Sequence, residues 1–253
     1  MILASETHGN GPSLTFVHGF TQTRASWNLA IENLSDRYTC QTIDAPGHGE
    51  SADGKLSLIE CGDAIAETMA TGTLIGYSMG ARMALHAALR HPEKVKRLVL
   101  ISGTPGIEVS DERATRVASD EALASHIEDI GVAAFVAEWL QNPMFAGLSR
   151  EKAQVEERIK NSPQGLADSL RHAGTGTQAP LWEELSKLEI PTLIIAGATD
   201  KKFSDIASRM HSGMPQSTLV VVQGSGHTVH LERPDEFLVI LRDWLRTTDS
   251  VEG

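Results

Sequence analysis

The chain has 253 residues, and its 22 Lys and Arg against 33 Asp and Glu give a formal net charge of −11 at pH 7. Nucleic acids and anionic membranes attract basic surfaces, so this balance argues against either as the main partner. With 41% hydrophobic and 22% charged residues, the composition is that of a globular domain long enough to bury a large core. We expect one domain that carries an insertion.

Short β-branched or Leu-rich runs alternate with longer segments of helical period, a pattern typical of a parallel sheet covered by helices. The predicted strands are residues 14–17, 38–43, 73–75, 95–101, 192–196 and 217–222. The predicted helices are residues 25–33, 58–69, 79–89, 203–210 and 234–245. The fold class is therefore α/β.

The alternation of strands and helices stops between residues 104 and 188. Only charged helical stretches occur there, such as residues 111–130 and 150–160, broken by Gly and Pro. Open α/β sheets bind ligands at the carboxyl ends of their strands, so a helical excursion between two strands predicts a lid. We divide the chain into a core of residues 1–104 and 189–253 and a helical cap of residues 105–188.

Cysteine usage and the amino terminus bear on the compartment. Cys40 and Cys61 have no spacing typical of a disulfide framework or a zinc site, so we expect two reduced, buried thiols. The first residues lack the basic start of a signal peptide, and no run of about 18 apolar residues occurs. We expect a cytoplasmic protein.

The sequence Gly-Tyr-Ser-Met-Gly at residues 76–80 follows a predicted strand and opens a predicted helix. A strand that turns abruptly into a helix strains the backbone at the central Ser, and flanking glycines remove side chains that would collide. A chance match is the alternative, but the strand-turn-helix context favours a nucleophile elbow with Ser78 exposed at the sheet edge.

A serine needs a base and an acid that orients the base, in the chain order Ser, acid, His. Asp200 and His227 each follow a predicted strand and therefore lie at the same sheet edge as Ser78. Asp200 could instead be a solvated loop carboxylate or the N-cap of the next helix. His230 is the rival base, although its apolar surroundings in the sequence indicate a packed residue.

Acyl-transfer sites of this kind hold a developing oxyanion with backbone N–H groups. Met79 follows the candidate nucleophile, and Phe20 lies in His-Gly-Phe just after the first predicted strand, so both are placed to donate. His18 could be a ligand, but a structural role that holds this loop is the favoured interpretation.

Two glycine-rich segments, residues 47–52 and 174–179, match the G-x-G-x-x-G/A pattern of dinucleotide sites. The first lies in a turn after Pro46, and the second runs into Pro180, so neither precedes a helix N-terminus that could face a phosphate. The ten His include no typical metal motif. We expect no cofactor and no metal.

On these motifs the sequence resembles the α/β-hydrolase superfamily over nearly its whole length. The matching segments are His-Gly-Phe at 18–20, Asp-x-Pro-Gly-His-Gly-x-Ser at 44–51, the serine motif at 76–80, Gly-x-x-Asp at 197–200 and Gly-His at 226–227. Only thirteen residues precede Leu14, so the resemblance implies that the usual first antiparallel strands are abbreviated.

Within that superfamily the details look most like the 2-succinyl-6-hydroxy-2,4-cyclohexadiene-1-carboxylate synthases of menaquinone biosynthesis. The resemblance rests on His-Gly-Phe-Thr with Trp27, the serine motif followed by Arg82, Asp-Lys-Lys-Phe at 200–203, Gly-His-Thr-Val-His-Leu-Glu at 226–232, and several segments of the cap. Ala81 departs from the usual Gly. The resemblance implies a lyase in which the triad serine removes a proton from the substrate ring and pyruvate is expelled without an acyl-enzyme.

The implied substrate carries three carboxylates, so an enzyme of net charge −11 needs a local concentration of arginine to hold it. Arg82 at the elbow helix, and Arg116 and Arg158 in the cap, are the candidates. The resemblance adds Tyr77 and Trp139 as substrate-binding residues. Arg82 could instead pair with a surface acid, the cap arginines could be solvated, and the role of Arg171 stays open.

Three functions remain after the sequence analysis. The first is the synthase, and the second is a carboxylesterase or carbon–carbon bond hydrolase that uses Ser78 as a nucleophile or His227 to activate water. The third is a non-catalytic ligand receptor, which the filled triad positions disfavour. The expected partner is a small polycarboxylate, with no nucleic acid or membrane, and the expected assembly is a monomer or weak homo-oligomer.

Overall fold

A seven-stranded sheet runs through the molecule in the strand order β1-β3-β2-β4-β5-β6-β7. The computed structural model describes residues 1–51 and 54–249. Its strands are β1 (Ser5–His8), β2 (Ser13–Val17), β3 (Thr39–Ile43), β4 (Gly72–Tyr77), β5 (Val95–Ile101), β6 (Thr192–Gly197) and β7 (Ser217–Val222). Its helices are α1 (Asn28–Leu34), α2 (Leu58–Thr68), α3 (Met79–Arg90), α4 (Ser110–Trp139), α5 (Val155–Arg158), α6 (Pro163–Ala173), α7 (Lys201–Gly213), α8 (Val229–Glu232) and α9 (Pro234–Asp249).

All strand pairs are parallel except the pair between β1 and β3. Each predicted strand overlaps an observed one, and the predicted α/β fold is confirmed. Strand β1 was missed because all four of its residues are exposed, so no apolar pattern marks it. It pairs antiparallel with β3 at one edge of the sheet.

Alternate side chains of the central strands face the two helical layers, as the pleat requires. Leu74 and Leu98 pack into a core with α2, α3 and α7. Ile75 and Val99, one position on, pack into a second core with α1 and α9. Both faces of the sheet are therefore apolar, which explains why these strands read as continuous hydrophobic runs.

The chain between β5 and β6 contains α4, α5 and α6 and the 3-10 turns Pro143–Phe145 and Glu184–Lys187. Helix α4 is broken at Gly131, whose φ of 78° and ψ of 164° are not helical. The prediction of a helix over residues 150–160 is wrong for most of that stretch. Only Val155–Arg158 is helical, because Gln154 before it adopts a left-handed φ of 54°.

Besides His227, four histidines are buried among the described residues: His18, His48, His86 and His230. Burial disfavours the charged imidazolium, and it lowers the pKa of His18 and His86 to about 4 and the pKa of His48 and His230 to about 3. The fold therefore carries these rings in their neutral form.

The buried histidines make the free energy of unfolding depend on pH. Their pKa values are lower in the folded state than in the unfolded chain, so the unfolded state binds more protons and stability falls as pH drops from about 6.5 toward 4. Each histidine should contribute a slope approaching about 1.4 kcal/mol per pH unit in this window. Urea unfolding at a series of pH values measures the sum.

Replacing one buried ring isolates a single contribution. His230→Phe should reduce the slope by about 1.4 kcal/mol per pH unit, because the phenyl ring binds no proton in either state. His8→Phe, at an exposed position, is the matched control and should leave the pH dependence as in the wild type. An unaltered slope in the His230 variant would contradict the assignment.

Candidate active site

Ser78 lies at the abrupt turn between β4 and α3, with φ of 51° and ψ of −106°. The turn depends on its flanking glycines. A Cβ on Gly76 would overlap the carbonyl of Gly80, and a Cβ on Gly80 would overlap the carbonyl of Val17 in β2. The predicted elbow is therefore present, and Ser78 lines a cavity at the carboxyl edge of the sheet.

The side chains of Ser78, His227 and Asp200 form one hydrogen-bonded chain. The Ser78 hydroxyl lies 3.0 Å from His227 Nε2, and His227 Nδ1 lies 2.7 Å from Asp200 Oδ2. Asp200 Oδ1 also accepts from the Phe203 N–H at 3.3 Å, so the carboxylate caps α7 with one oxygen and orients the histidine with the other. Asp200 is therefore both the N-cap of α7 and the acid that orients His227.

His230, the rival base, does not line the cavity. Its ring stacks on Trp27 at 4.4 Å and packs against Tyr77 at 4.5 Å between ring centroids. Within residues 1–51 and 54–249, neither of its ring nitrogens has a hydrogen-bond partner. The structure therefore places His230 in the packing behind the site.

Phe20 and Met79 border the cavity beside Ser78. Met79 is the first residue of α3, where a backbone N–H has no acceptor inside the helix. In the part of the chain that the structure describes, neither the Phe20 nor the Met79 N–H donates to a protein acceptor. Both donors are thus available to an oxygen atom of a ligand.

The loop that carries Phe20 is held from beneath by His18. Its Nδ1 donates to the Gly19 carbonyl at 2.8 Å, and its Nε2 accepts from the Ala45 N–H at 3.0 Å. His48 supports the same loop by accepting from the Thr21 N–H at 3.4 Å. These contacts give His18 the structural role that the sequence favoured.

The cavity has a volume of about 590 Å³ and lies between the carboxyl edge of the sheet and helices α4 and α6. This volume suits a small organic ligand. Its wall combines the triad with apolar side chains and with two guanidinium groups. The lining residues include Ser78, Asp200, His227, Phe20, Met79, Leu123, Trp139, Met144, Leu170, Phe203, Arg82 and Arg116.

Arg82, from α3, and Arg116, from α4, both line the cavity. Arg82 is buried and donates to the Ala173 carbonyl at 2.9 Å, and burial lowers its pKa to about 10. Arg116 pairs through its Nε with the buried Asp120 at 2.7 Å. Among the described residues Arg82 has no carboxylate partner, so its charge is free to meet an anionic ligand.

Arg158 is more deeply buried than the sequence indicated, at 1% exposure. It donates to the Ala153 carbonyl at 2.7 Å and to the Thr21 hydroxyl, and it forms no ion pair within the described chain. Burial lowers its pKa to about 10. The guanidinium borders a recess of about 30 Å³ next to Ser78 and His227.

Two aromatic candidates also meet at this recess. Trp139 lines both the recess and the main cavity and stacks on Phe135. Tyr77 packs against His227 with 5.5 Å between ring centroids, and burial raises the pKa of its phenol. The recess is therefore lined mostly by aromatic rings, with Arg158, Ser78 and Met144 beside them.

The structure separates Arg171 from the other arginines. It lies outside the cavity and pairs with Glu121 at 2.9 Å and Glu128 at 2.7 Å, and the two carboxylates raise its pKa. The sequence left its role open, and the structure pairs it with two acids of α4. Its bidentate pairing leaves no free edge for a ligand.

Sequence reasoning missed Asp120 and Lys202, which also line the cavity. Asp120 follows Arg116 by four residues on one helix, and this spacing could have indicated the ion pair. Lys202 lies two residues after Asp200, so the placement of Asp200 at the cavity brings Lys202 there as well.

The glycine-rich segments form turns rather than helix starts. Gly47 and Gly49 have φ of 81° and 51°, and the Gly49 N–H donates to the Asn161 side chain at 2.8 Å. Ala52, the last residue of that match, lies outside the described residues. Gly174 ends α6.

Within the same described ranges, three or more potential metal ligands do not cluster. Likewise, the helices described there are either too short or too polar to span a bilayer.

Comparison with known proteins agrees with this geometry. Residues 12–234 match the family model of the alpha/beta hydrolase fold. The putative 2-succinyl-6-hydroxy-2,4-cyclohexadiene-1-carboxylate synthase of Bacillus subtilis is 36% identical, with 96% of this chain and 93% of the relative covered. The synthase of that name from Serratia proteamaculans is 31% identical, with 92% and 93% covered.

Solved structures show the same likeness. MenH from S. aureus superposes with a TM-score of 0.89 at 32% identity, covering 96% of this chain and 98% of that one. A thermophilic esterase from Thermogutta terrifontis superposes with a TM-score of 0.82 at 23% identity, covering 97% and 93%, which shows the shared fold alone. The chain therefore belongs to the alpha/beta hydrolase fold family and, within it, to the family of the 2-succinyl-6-hydroxy-2,4-cyclohexadiene-1-carboxylate synthases.

Proposed function

We propose that the protein is a lyase that eliminates pyruvate from 2-succinyl-5-enolpyruvyl-6-hydroxy-3-cyclohexene-1-carboxylate to give 2-succinyl-6-hydroxy-2,4-cyclohexadiene-1-carboxylate in menaquinone biosynthesis. One observation carries the proposal. Arg82 and Arg158 are buried beside a complete Ser-His-Asp arrangement, and neither has an acidic partner in the described chain. Buried unpaired charges are costly, so their presence favours an anionic ligand that completes them.

The elimination needs a base at a carbon atom, and the triad can supply one. His227 accepts the Ser78 hydroxyl proton, and the Ser78 oxygen takes the ring proton from C2, which the neighbouring succinyl ketone acidifies. The electrons of the C2–H bond form the C2–C3 double bond, the C3–C4 double bond moves to C4–C5, and the C5–O bond breaks. The proton on His227 passes to the departing enolpyruvate, which tautomerises to pyruvate.

Negative charge builds up on the ketone oxygen when the C2 proton leaves. The free N–H groups of Phe20 and Met79 are suited to hold that oxygen, because preorganised donors stabilise an enolate as they stabilise a tetrahedral oxyanion. Asp200 keeps His227 in the tautomer that can accept the Ser78 proton. The triad and these two donors together account for the base and the oxyanion stabilisation.

The substrate carboxylates are assigned to the guanidinium groups. Arg82 and Arg116 face the main cavity, and Arg158 faces the recess beside Ser78. Tyr77 and Trp139 complete the binding surface around the ring. We further propose that residues 105–188 act as a cap over the core of residues 1–104 and 189–253. A cytoplasmic location and a monomer or weak homo-oligomer stay predictions.

The triad should act as a unit. Ser78→Ala or His227→Ala should lower kcat by several orders of magnitude, and Asp200→Asn somewhat less, because the serine is a competent base only when the histidine takes its proton. Pyruvate release from the enolpyruvyl substrate measures kcat, and circular dichroism checks the fold. Near-normal turnover by a folded Ser78→Ala enzyme would end the hypothesis.

The arginines separate the lyase from an esterase. Arg82→Ala and Arg116→Ala should each cost about 2–5 kcal/mol in kcat/KM, the range for a charge pair that loses one partner. Lysine at either position should restore only part of this, because an ammonium group cannot make the planar two-point contact.

Arg171→Ala is the matched control, since Arg171 pairs with surface acids outside the cavity. It should change kcat/KM by less than a factor of about three. The wild type should also hydrolyse short p-nitrophenyl esters poorly. A carboxylesterase with Ser78 as nucleophile would instead hydrolyse these esters rapidly and release no pyruvate. Its rate would be unchanged by Arg82→Ala and by Arg116→Ala.

The reaction should need no cofactor. The triad, the two N–H donors and the arginines supply the base, the charge stabilisation and the binding. We expect full pyruvate release after exhaustive chelation and without added nucleotide. Activity that disappears with EDTA and returns with zinc or magnesium would refute this expectation.

A further inference from the structure

Glu232, the last residue of α8, binds the loop that carries His227 from both sides. Its Oε2 accepts from the Gly226 N–H at 2.6 Å, and its Oε1 accepts from the Thr228 N–H and the Thr228 hydroxyl, both at 2.9 Å. The two backbone donors belong to the residues immediately before and after the histidine. One carboxylate therefore fixes the peptide on either side of His227.

These bonds are stronger than ordinary loop contacts. Glu232 is only partly exposed, and hydrogen bonds to an ionised carboxylate are shorter and roughly twice as strong as neutral ones. The backbone closes the same unit, because the Leu231 and Glu232 N–H groups donate to the Thr228 carbonyl at 2.9 and 2.8 Å. The His227 loop and α8 thus form one hydrogen-bonded turn around the carboxylate.

The segment between β5 and β6 touches Glu232 as well. A Cβ added to Gly147 would overlap Glu232 Oε2, the atom that accepts from Gly226. Lys152 donates through its Nζ to the Glu232 carbonyl at 3.3 Å. The carboxylate therefore lies between the His227 loop and residues 147–152.

We propose that Glu232 is a positioning residue for His227. It contacts neither the cavity nor the reacting atoms, and it transfers no proton. Its carboxylate sets the height and tilt of the imidazole, and so keeps Nε2 in line with Ser78 and Nδ1 in line with Asp200. Close packing of Gly147 keeps the carboxylate from withdrawing.

The first test removes one acceptor without changing the size of the side chain. In Glu232→Gln a single oxygen replaces two, so the amide group must face the Gly226 or the Thr228 N–H and cannot accept from it. Because misplacing a catalytic group by about 1 Å can cost 10²-fold, we expect kcat to fall about 10- to 100-fold while KM changes less than about threefold. Glu236→Gln, at an exposed position of α9, is the matched control and should change neither constant.

The second test moves the carboxylate without altering it. Gly147→Ala should push Glu232 Oε2 away from the Gly226 N–H. We therefore expect kcat to fall, as in Glu232→Gln, while KM stays close to the wild-type value. Both variants are compared with the wild type well below their melting temperatures, with circular dichroism to show that they are folded.

A readout without substrate separates this proposal from the proposed function. The proton between His227 Nδ1 and Asp200 should give a low-field proton NMR resonance, assigned by its loss in His227→Ala. We expect it to shift or vanish in Glu232→Gln and Gly147→Ala and to persist in Glu236→Gln. Folded Glu232→Gln with an unchanged resonance, or with unchanged kcat, would overturn the proposal.

Discussion

The close approach of α3 to the end of β2 is the constraint on which the site depends. Gly80 rests against the carbonyls of Val17 and His18, where any side chain would overlap the backbone. This contact presses the helix N-terminus onto the sheet edge, where Met79 and Phe20 line the same cavity. Residues from two separate segments can border one cavity there because a glycine lets the two backbones approach closely.

The same contact explains the unusual backbone of Ser78. A helix that begins this close to the sheet leaves one residue for the turn, and that residue adopts a positive φ. The strain is held by two apolar cores, one on each face of the sheet. Such strain persists where the surrounding structure over-determines the conformation, and here it exposes the Ser78 hydroxyl to His227.

The sequence predicts the sheet better than the helical segment between β5 and β6. Central strands such as β5 and β6 are continuous apolar runs, and their order places Ser78, Asp200 and His227 at one edge, so the triad geometry follows from local patterns. The burial of an arginine side chain does not follow from local sequence patterns. Arg158 and Arg171 both lie in charged helical sequence, yet one is buried next to Ser78 and the other pairs with Glu121 and Glu128, because tertiary packing decides which side of each helix faces the core. Glu232 belongs to the motif at residues 226–232, but its contacts are with backbone donors, which carry no residue signature.

The break in α4 at Gly131 sets the reach of the cavity wall. Along an unbroken helix, Arg116 and Trp139 would be separated by about 34 Å, since each residue adds 1.5 Å. Both nevertheless line one cavity of about 590 Å³. The break folds the second part of the helix back, so that its aromatic residues and the charged residues of the first part close over the same space. No atom lies near the position of a Gly131 Cβ among the described residues, so glycine is needed there for its φ of 78° and not for room. The shape of the chamber thus depends on the backbone conformation of Gly131, a residue that does not itself line it.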